Sequence, residues 1–240
     1  VAGGGSRIGA EIAVASVCCF IATFAFGAGI ALFVAFALAL VIARAHWANV
    51  VFVCAALAVT LAVYFALPGG EGVSGVLQVR PLANARVAAQ WLASPVMYLL
   101  LPFVDGNQSG ALPFEPLRRL AGWTSAAYAA LFGDVWTSVV PQALVGGAGI
   151  VMLFMHSFSA WQQRAMTATR FTGCVLAWFG LGVAGVVALS RVGYFEVHPA
   201  QIYASRYLPW ACLFWAGLGL IALGRPLVEG SRAGRVKRPW

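Results

Sequence analysis

Apolar residues run along this chain in unbroken blocks, without the period-2 alternation of a barrel strand or the one-sided stripe of a soluble amphipathic helix. The blocks cover 8–42, 48–67, 138–158, 171–190 and 208–224. Each approaches or exceeds the roughly 20 residues that carry a helix through hydrocarbon at 1.5 Å per residue. A backbone in lipid must satisfy its own hydrogen bonds, so the pattern predicts an all-α fold, a polytopic transmembrane helical bundle. The block at 8–42 is longer than one crossing needs. Glu11 favours leaving its first turns at the interface, and Gly27 and Gly29 are a weak point, which places the span near 17–42. The tight group of Arg44, His46 and Trp47 ends it, and 48–67 returns across the membrane to stop at Pro68, Gly69 and Gly70.

Residues 68–136 are less regular. Two apolar stretches there, 91–104 with Pro95 and Pro102 inside it and 120–135, are too short for a comfortable crossing and read as short interfacial or re-entrant helices. Trp91, Trp123 and Trp136 suit that level, because indole prefers the headgroup layer. Five spans are therefore expected, with seven as the rival if both short stretches cross. The chain divides into an N-terminal transmembrane hairpin (1–67), an extracytoplasmic loop (68–136), a C-terminal transmembrane bundle (137–224) and a basic tail (225–240).

Composition strengthens this picture, since 62% of residues are apolar and 9% charged. The net charge of +8 would suggest nucleic acid in a soluble protein, but Arg225, Arg232, Arg235, Lys237 and Arg238 crowd the tail. They act first as a topology signal. Basic residues stay on the cytoplasmic side, which fits the inner membrane of a bacterium and contact with anionic lipid there, and no nucleic-acid partner is expected. A cytoplasmic tail puts 191–207 and 68–136 outside, and the turns with Arg44 and Arg164 inside. The chain opens on Val1, not Met, and meets its first apolar block almost at once. That reads as a sequence with something missing upstream; no removable targeting segment is expected, because further membrane-length blocks follow the first.

Candidate chemistry is sparse. Cys18, Cys19, Cys54, Cys174 and Cys212 fall inside apolar blocks, and His46, His156 and His198 lie in separate segments, so no metal site and no cofactor is expected. The most suggestive stretch is 190–209, which collects Arg191, Glu196, His198, Tyr203 and Arg206. Arg191 and Arg206 are suited to gripping a phosphate by forked hydrogen bonds, and Glu196 or His198 to moving a proton. The same residue types also serve as ordinary anchors of helix ends. Asp105 and Glu115 are further candidate bases, with Arg118 and Arg119 as phosphate ligands beside them. Asp134 is the remaining acid near a predicted surface, while Arg80 and Arg86 fit either a phosphate or an interface. Arg80-Pro81-Leu82-Ala83-Asn84 is similar to the Arg-x-x-x-Asn of the proton-channel subunit of rotary ATP synthases, but Pro81 interrupts the helix that must carry that arginine.

From Arg44 to Leu220 the layout resembles the C-terminal portion of bacterial polytopic membrane proteins associated with cell-envelope glycans. The resemblance rests on the Arg44-x-x-Trp47 turn, the broken outer segment, and Arg191-x-Gly193 followed by Ala204-Ser205-Arg206-Tyr207. Arg206-Tyr207-Leu208-Pro209 at the last span is loosely similar to membrane glycosyltransferases that use polyprenyl-phosphate sugars. That resemblance implies an extracytoplasmic site, a polyprenyl-phosphate-linked substrate and glycosyl or related group transfer. Two other classes stand beside it: a non-catalytic subunit packed among other membrane subunits, and a transporter or channel component. The second needs polar groups inside the spans, where few are evident.

Overall fold

The computed structural model describes residues 4–26, 29–66, 78–163 and 166–224. Among them the chain is helical throughout, with eight α-helices: α1 (Gly4–Phe26), α2 (Gly29–Ile42), α3 (Trp47–Ala66), α4 (Pro81–Val104), α5 (Glu115–Phe132), α6 (Val140–Gln163), α7 (Ala168–Val197) and α8 (Leu208–Leu223). Two short 3-10 helices, Pro199–Tyr203 and Ser205–Tyr207, connect α7 to α8. Five helical stretches are long and apolar enough to cross a membrane: Trp47–Ala66, Pro81–Val104, Val140–Gln163, Ala168–Val197 and Ser205–Leu223. Local sequence sets the helix ends. Proline occupies the first turn of α4, α5 and α8, where no intrahelical donor is needed. Gly133 closes α5 with φ 77°, a conformation that favours glycine.

The expected single span over 17–42 is corrected by the structure. A side chain at Gly29 would collide with the backbone of Thr23 and Cys19. In a continuous helix residues 19 and 29 lie about 15 Å apart, so the chain has turned back on itself. The weak point at the glycines is thus a reversal, not a bend. α1 runs alongside α3, with Phe24 against Tyr64, and α2 runs between them and α7, with Phe36 against Phe171 and Ala31 under Gly182.

α2 ends in a tight reversal. The Ala45 N–H donates to the Leu40 carbonyl and the Arg44 N–H to that of Val41, the paired bonds of a Schellman turn. The left-handed position falls on Arg44, φ 51°, where glycine is usual. The Arg44 guanidinium lies 4.6 Å from the centre of the Trp161 ring, a cation–π contact that offsets part of the backbone cost. Nearby, Thr167 caps α7 by accepting from the Arg170 N–H and donates to the Gly224 carbonyl, both at 3.1 Å. The fully buried Arg170 reaches Gln163 Oε1 at 2.9 Å. These residues define the arginine end of the bundle. The opposite end is the far end.

α7 and α8 form the most extensive helix pair. Their backbones approach closely at small residues: a side chain at Gly173 would meet the Gly217 carbonyl at 2.7 Å, and one at Gly180 would meet Phe214. Carried outward, this register ends α8 about ten residues, roughly 15 Å, short of the end of α7. α4 occupies the space above.

Length and composition qualify α4 as a span, but its packing lays it across the far end. Before its first turn, the Gln78 N–H donates to the Leu189 carbonyl and Arg80 pairs with Glu196. At its middle, Ala89 lies against Gly146, Gln90 bonds Gln142, and the Leu92 carbonyl accepts from Trp215 Nε1 at 2.7 Å. Towards its end, the Tyr98 hydroxyl donates to the Tyr203 carbonyl and Met97 packs with Val135. Both ends therefore meet far-end residues. The sequence expectation of a short interfacial or re-entrant helix over 91–104 is corrected in length, since the helix starts at Pro81 and runs to Val104. α5 folds back on α4 through Ala121, Ser125 and Tyr128 and exposes Trp123, Leu131 and its charged first turn.

Candidate functional site

The far end collects the candidate residues, and its geometry starts at the entry to α4. Arg80 has no side-chain cap of its own, and Asn84 supplies one: Asn84 Oδ1 accepts from the Arg80 N–H and Nδ2 donates to the Gln78 carbonyl, both at 2.9 Å. This clasp aims the Arg80 side chain at the last turn of α7, where Nη1 lies 2.8 Å from Glu196 Oε2. Both side chains are about half exposed, so the pair contributes on the order of 0–1 kcal/mol to stability and keeps its chemistry accessible.

Next to Glu196, Phe195 meets the Tyr207 ring at 6.3 Å, and Arg206 stacks its guanidinium 5.0 Å from the same ring. Arg206 and the Glu196–Arg80 pair are thus linked through the Phe195 and Tyr207 rings, and together they form the rim of this end. Arg191 is exposed and has no ion-pair partner among the described residues; His198 stacks on Tyr194 at 5.0 Å.

The other candidates lie elsewhere. Asp105 closes α4 and accepts from the Asn107 N–H at 2.9 Å, the geometry of a turn. Glu115 pairs with Arg118 and with Arg119, each at 3.1 Å, within the first turn of α5. One carboxylate serves both arginines, which leaves a net positive charge there, and no described contact joins them to Arg191 or Arg206. An open groove beside them, about 580 Å³, is lined by Glu115, Pro116, Arg119, Leu120 and Trp123. Asp134 accepts from the N–H groups of Trp136 and Thr137. The predicted set therefore splits: Glu115 stands with Arg118 and Arg119 on α5, Glu196 with Arg80 at the end of α7, and Asp105 in a turn of its own. Among the described residues no three His, Cys, Asp or Glu side chains converge as metal ligands.

Beneath the rim lies a feature that sequence reasoning missed. Gln90, Trp91 and Ser94 of α4 are buried, and Gln90 Nε2 donates to Gln142 Oε1 at 3.0 Å while Gln142 Nε2 donates to the Val135 carbonyl. Gln90 Oε1, Trp91 Nε1, Ser94 Oγ and the Tyr203 hydroxyl are buried without a hydrogen-bond partner. Each such atom costs about 1–3 kcal/mol, and native proteins carry few. The rings around them are linked, Trp91 to Tyr207 at 6.3 Å, Trp136 to Tyr203 at 5.5 Å and Tyr98 to Trp136 at 5.8 Å. Burial pushes the Tyr203 phenol well above the ordinary tyrosine range. Burial also raises that of Tyr128, with the bond to Ser138 opposing and Asp134 adding to it. The signal was faint but present: Gln90 and Ser94 are four apart on one helix face, and beginning that helix at Trp91 separated them.

No family model, curated protein or solved structure matches this chain.

Proposed function

We propose that the far end is an extracytoplasmic site for the phosphate-bearing head of a membrane lipid, where glycosyl or a related group is transferred from a lipid-phosphate donor. The observation that carries this reading is the shared rim: Arg206 on Tyr207, Tyr207 against Phe195, and the adjoining Glu196 beside Arg80. Arg206 and Arg191 would bind phosphate, with Arg80, held by Glu196, contributing beside them. Glu196 would accept the proton of an acceptor hydroxyl as that oxygen bonds to the sugar's anomeric carbon. The bond from that carbon to the phosphate oxygen breaks, and the phosphate leaves with its charge met by the arginines.

Orientation is part of the same proposal. By sequence the turns at Arg44 and Arg164 and the tail after α8 hold seven of the fifteen Lys and Arg residues and only Glu229 of the acids, whereas the segments between α3 and α6 and between α7 and α8 nearly balance their charges. The positive-inside rule then puts the arginine end in the cytoplasm, as expected of a bacterial inner-membrane protein.

The test is transfer from a polyprenyl-phosphate sugar by the full chain in lipid nanodiscs. Arg206→Ala should lower turnover on the order of a hundredfold at unchanged helicity, the usual scale for losing a group that meets developing charge. Wild-type turnover in that variant would end the assignment.

A second reading, the non-catalytic subunit, is favoured by α3: only 17% of its apolar window is buried within this chain. Copurification of stoichiometric partner chains covering α3, together with an Arg206→Ala variant that still supports their activity, would establish it instead.

A further inference from the structure

We infer that the orphaned polar atoms beneath the rim form a binding seam for a neutral, hydroxyl-rich ligand group, the sugar of a lipid-linked substrate. This rests on the lipid-phosphate reading above and specifies what lies on the other side of the phosphate. Four atoms carry it: Gln90 Oε1 accepts, Trp91 Nε1 donates, and Ser94 Oγ and the Tyr203 hydroxyl do either. Their residues are all at most 3% exposed. None is ionised, because Gln, Trp and Ser do not titrate near neutrality and burial keeps the Tyr203 phenol protonated. A charged ligand group would be buried there without a counter-charge, at high cost; a hydroxyl or amide would satisfy the atoms one for one. Aromatic rings adjoin these atoms in two linked groups, Trp91 with Tyr207, and Tyr98 with Trp136 and Tyr203. Neutral hydrogen-bonding groups set between aromatic faces suit a pyranose, which presents hydroxyls at its edge and C–H bonds on its faces.

The route from the rim is direct. Arg206 stacks on Tyr207, and the Tyr207 ring meets Trp91, whose indole N–H is one of the four atoms. A phosphate at Arg206 therefore stands one aromatic ring from the seam. α4 also contains the means to open. Pro95 follows Ser94 inside the helix and leaves the Trp91 carbonyl without its intrahelical donor, the usual place for a helix to bend. The entry to α4 is held to α7 by the Gln78 and Arg80 bonds, with Asn84 clasping that entry from within, so a bend at Pro95 that parts the Tyr98 hydroxyl from the Tyr203 carbonyl would open the seam.

The probe is octyl β-D-glucopyranoside below its micellar concentration, which joins a sugar to an alkyl chain and has no phosphate, with 1-octanol as control. Thermal unfolding of the full chain in nanodiscs is followed for wild type, Ser94→Ala, Trp91→Phe and Arg206→Ala. The glucoside should raise the wild-type midpoint where octanol does not. Ser94→Ala and Trp91→Phe should weaken that response on the order of tenfold in apparent affinity, and Ser94→Ala should melt no lower than wild type without ligand, since it removes an unpaired group. Arg206→Ala should keep the response. No glucoside shift in the wild type, an equal shift with octanol, or an undiminished shift in both seam variants overturns the inference. So does a Ser94→Ala protein that melts well below wild type unliganded, the mark of a hydroxyl bonded to buried water only. The two proposals fail separately. A glucoside response with Arg206-independent turnover leaves the seam and removes the phosphate reading; Arg206-dependent turnover with no glucoside response does the reverse.

Discussion

Tyr203 places a phenol hydroxyl in a pocket with no partner, and the consequence is a titration that is felt at high pH. In the unfolded chain the phenol ionises near pH 10, while burial pushes its folded value higher, so between the two the unfolded state holds fewer protons. Stability is therefore full below about pH 10 and falls above it, by up to about 1.4 kcal/mol per pH unit. Alkaline melting of Tyr203→Phe should lose a large part of that slope, with Tyr128 contributing to what remains; a slope identical to wild type would show that the hydroxyl is not buried as described. The individual residues were unequally legible. Glu196 and Arg206 could be singled out because charge between two apolar blocks is conspicuous. The partner of Glu196 could not, since Arg80 lies 116 positions away. The buried seam was hidden for a different reason: one glutamine and one serine in an apolar block look the same whether they face lipid, a neighbouring helix or a ligand.

Helices were easier to read than their paths. The apolar blocks from 138 to 224 reappear as α6, α7 and α8, but α7 continues seven residues past the expected end at 190, carrying Arg191 and Glu196 on the helix instead of in a loop. The reversal between α1 and α2 was not legible as a turn, because the close approach of Gly29 to Thr23 is a tertiary fact. For α4 the prolines argued against a long helix, yet packing against α6 and α7 and the bond from Trp215 to the Leu92 carbonyl sustain it through Pro95. The α4–α6 crossing depends on one missing side chain. At Gly146 a Cβ would run into the Ala89 carbonyl, whereas at Gly147 it would meet nothing. Gly146→Ala should lower unfolding stability by about 1–3 kcal/mol through overpacking. Gly147→Ala should be neutral or raise it slightly, by up to about 1 kcal/mol, from helix propensity. Thermal melts of the pair give the comparison, and equal midpoints would mean that α4 does not rest on α6 at this point.

At the scale of the whole molecule the prediction concerns sides. If α4 lies across the far end, single cysteines placed at Gln108 and at His198 in a cysteine-free chain should react with a membrane-impermeant maleimide from one side, and one at His46 from the other. A helix that crossed would move position 108 to the side of position 46, and that labelling pattern would discard the arrangement. Charge distribution made this layout partly legible in advance, since the basic turns and tail fix parity. Whether a 24-residue apolar helix crosses or lies flat is decided by what space its neighbours leave, and no local pattern encodes that.

That space exists because α8 is short. Its 16 residues reach about 24 Å, against roughly 30 Å of hydrocarbon, so a bilayer around α8 would have to thin at the far end wherever the 3-10 turn Ser205–Tyr207 does not complete the crossing. Such thinning would draw headgroups towards Tyr207 and Arg206 without any lipid leaving its leaflet. Acyl-chain length would then act on how readily a headgroup arrives, with short chains relaxing into the depression and long chains filling it.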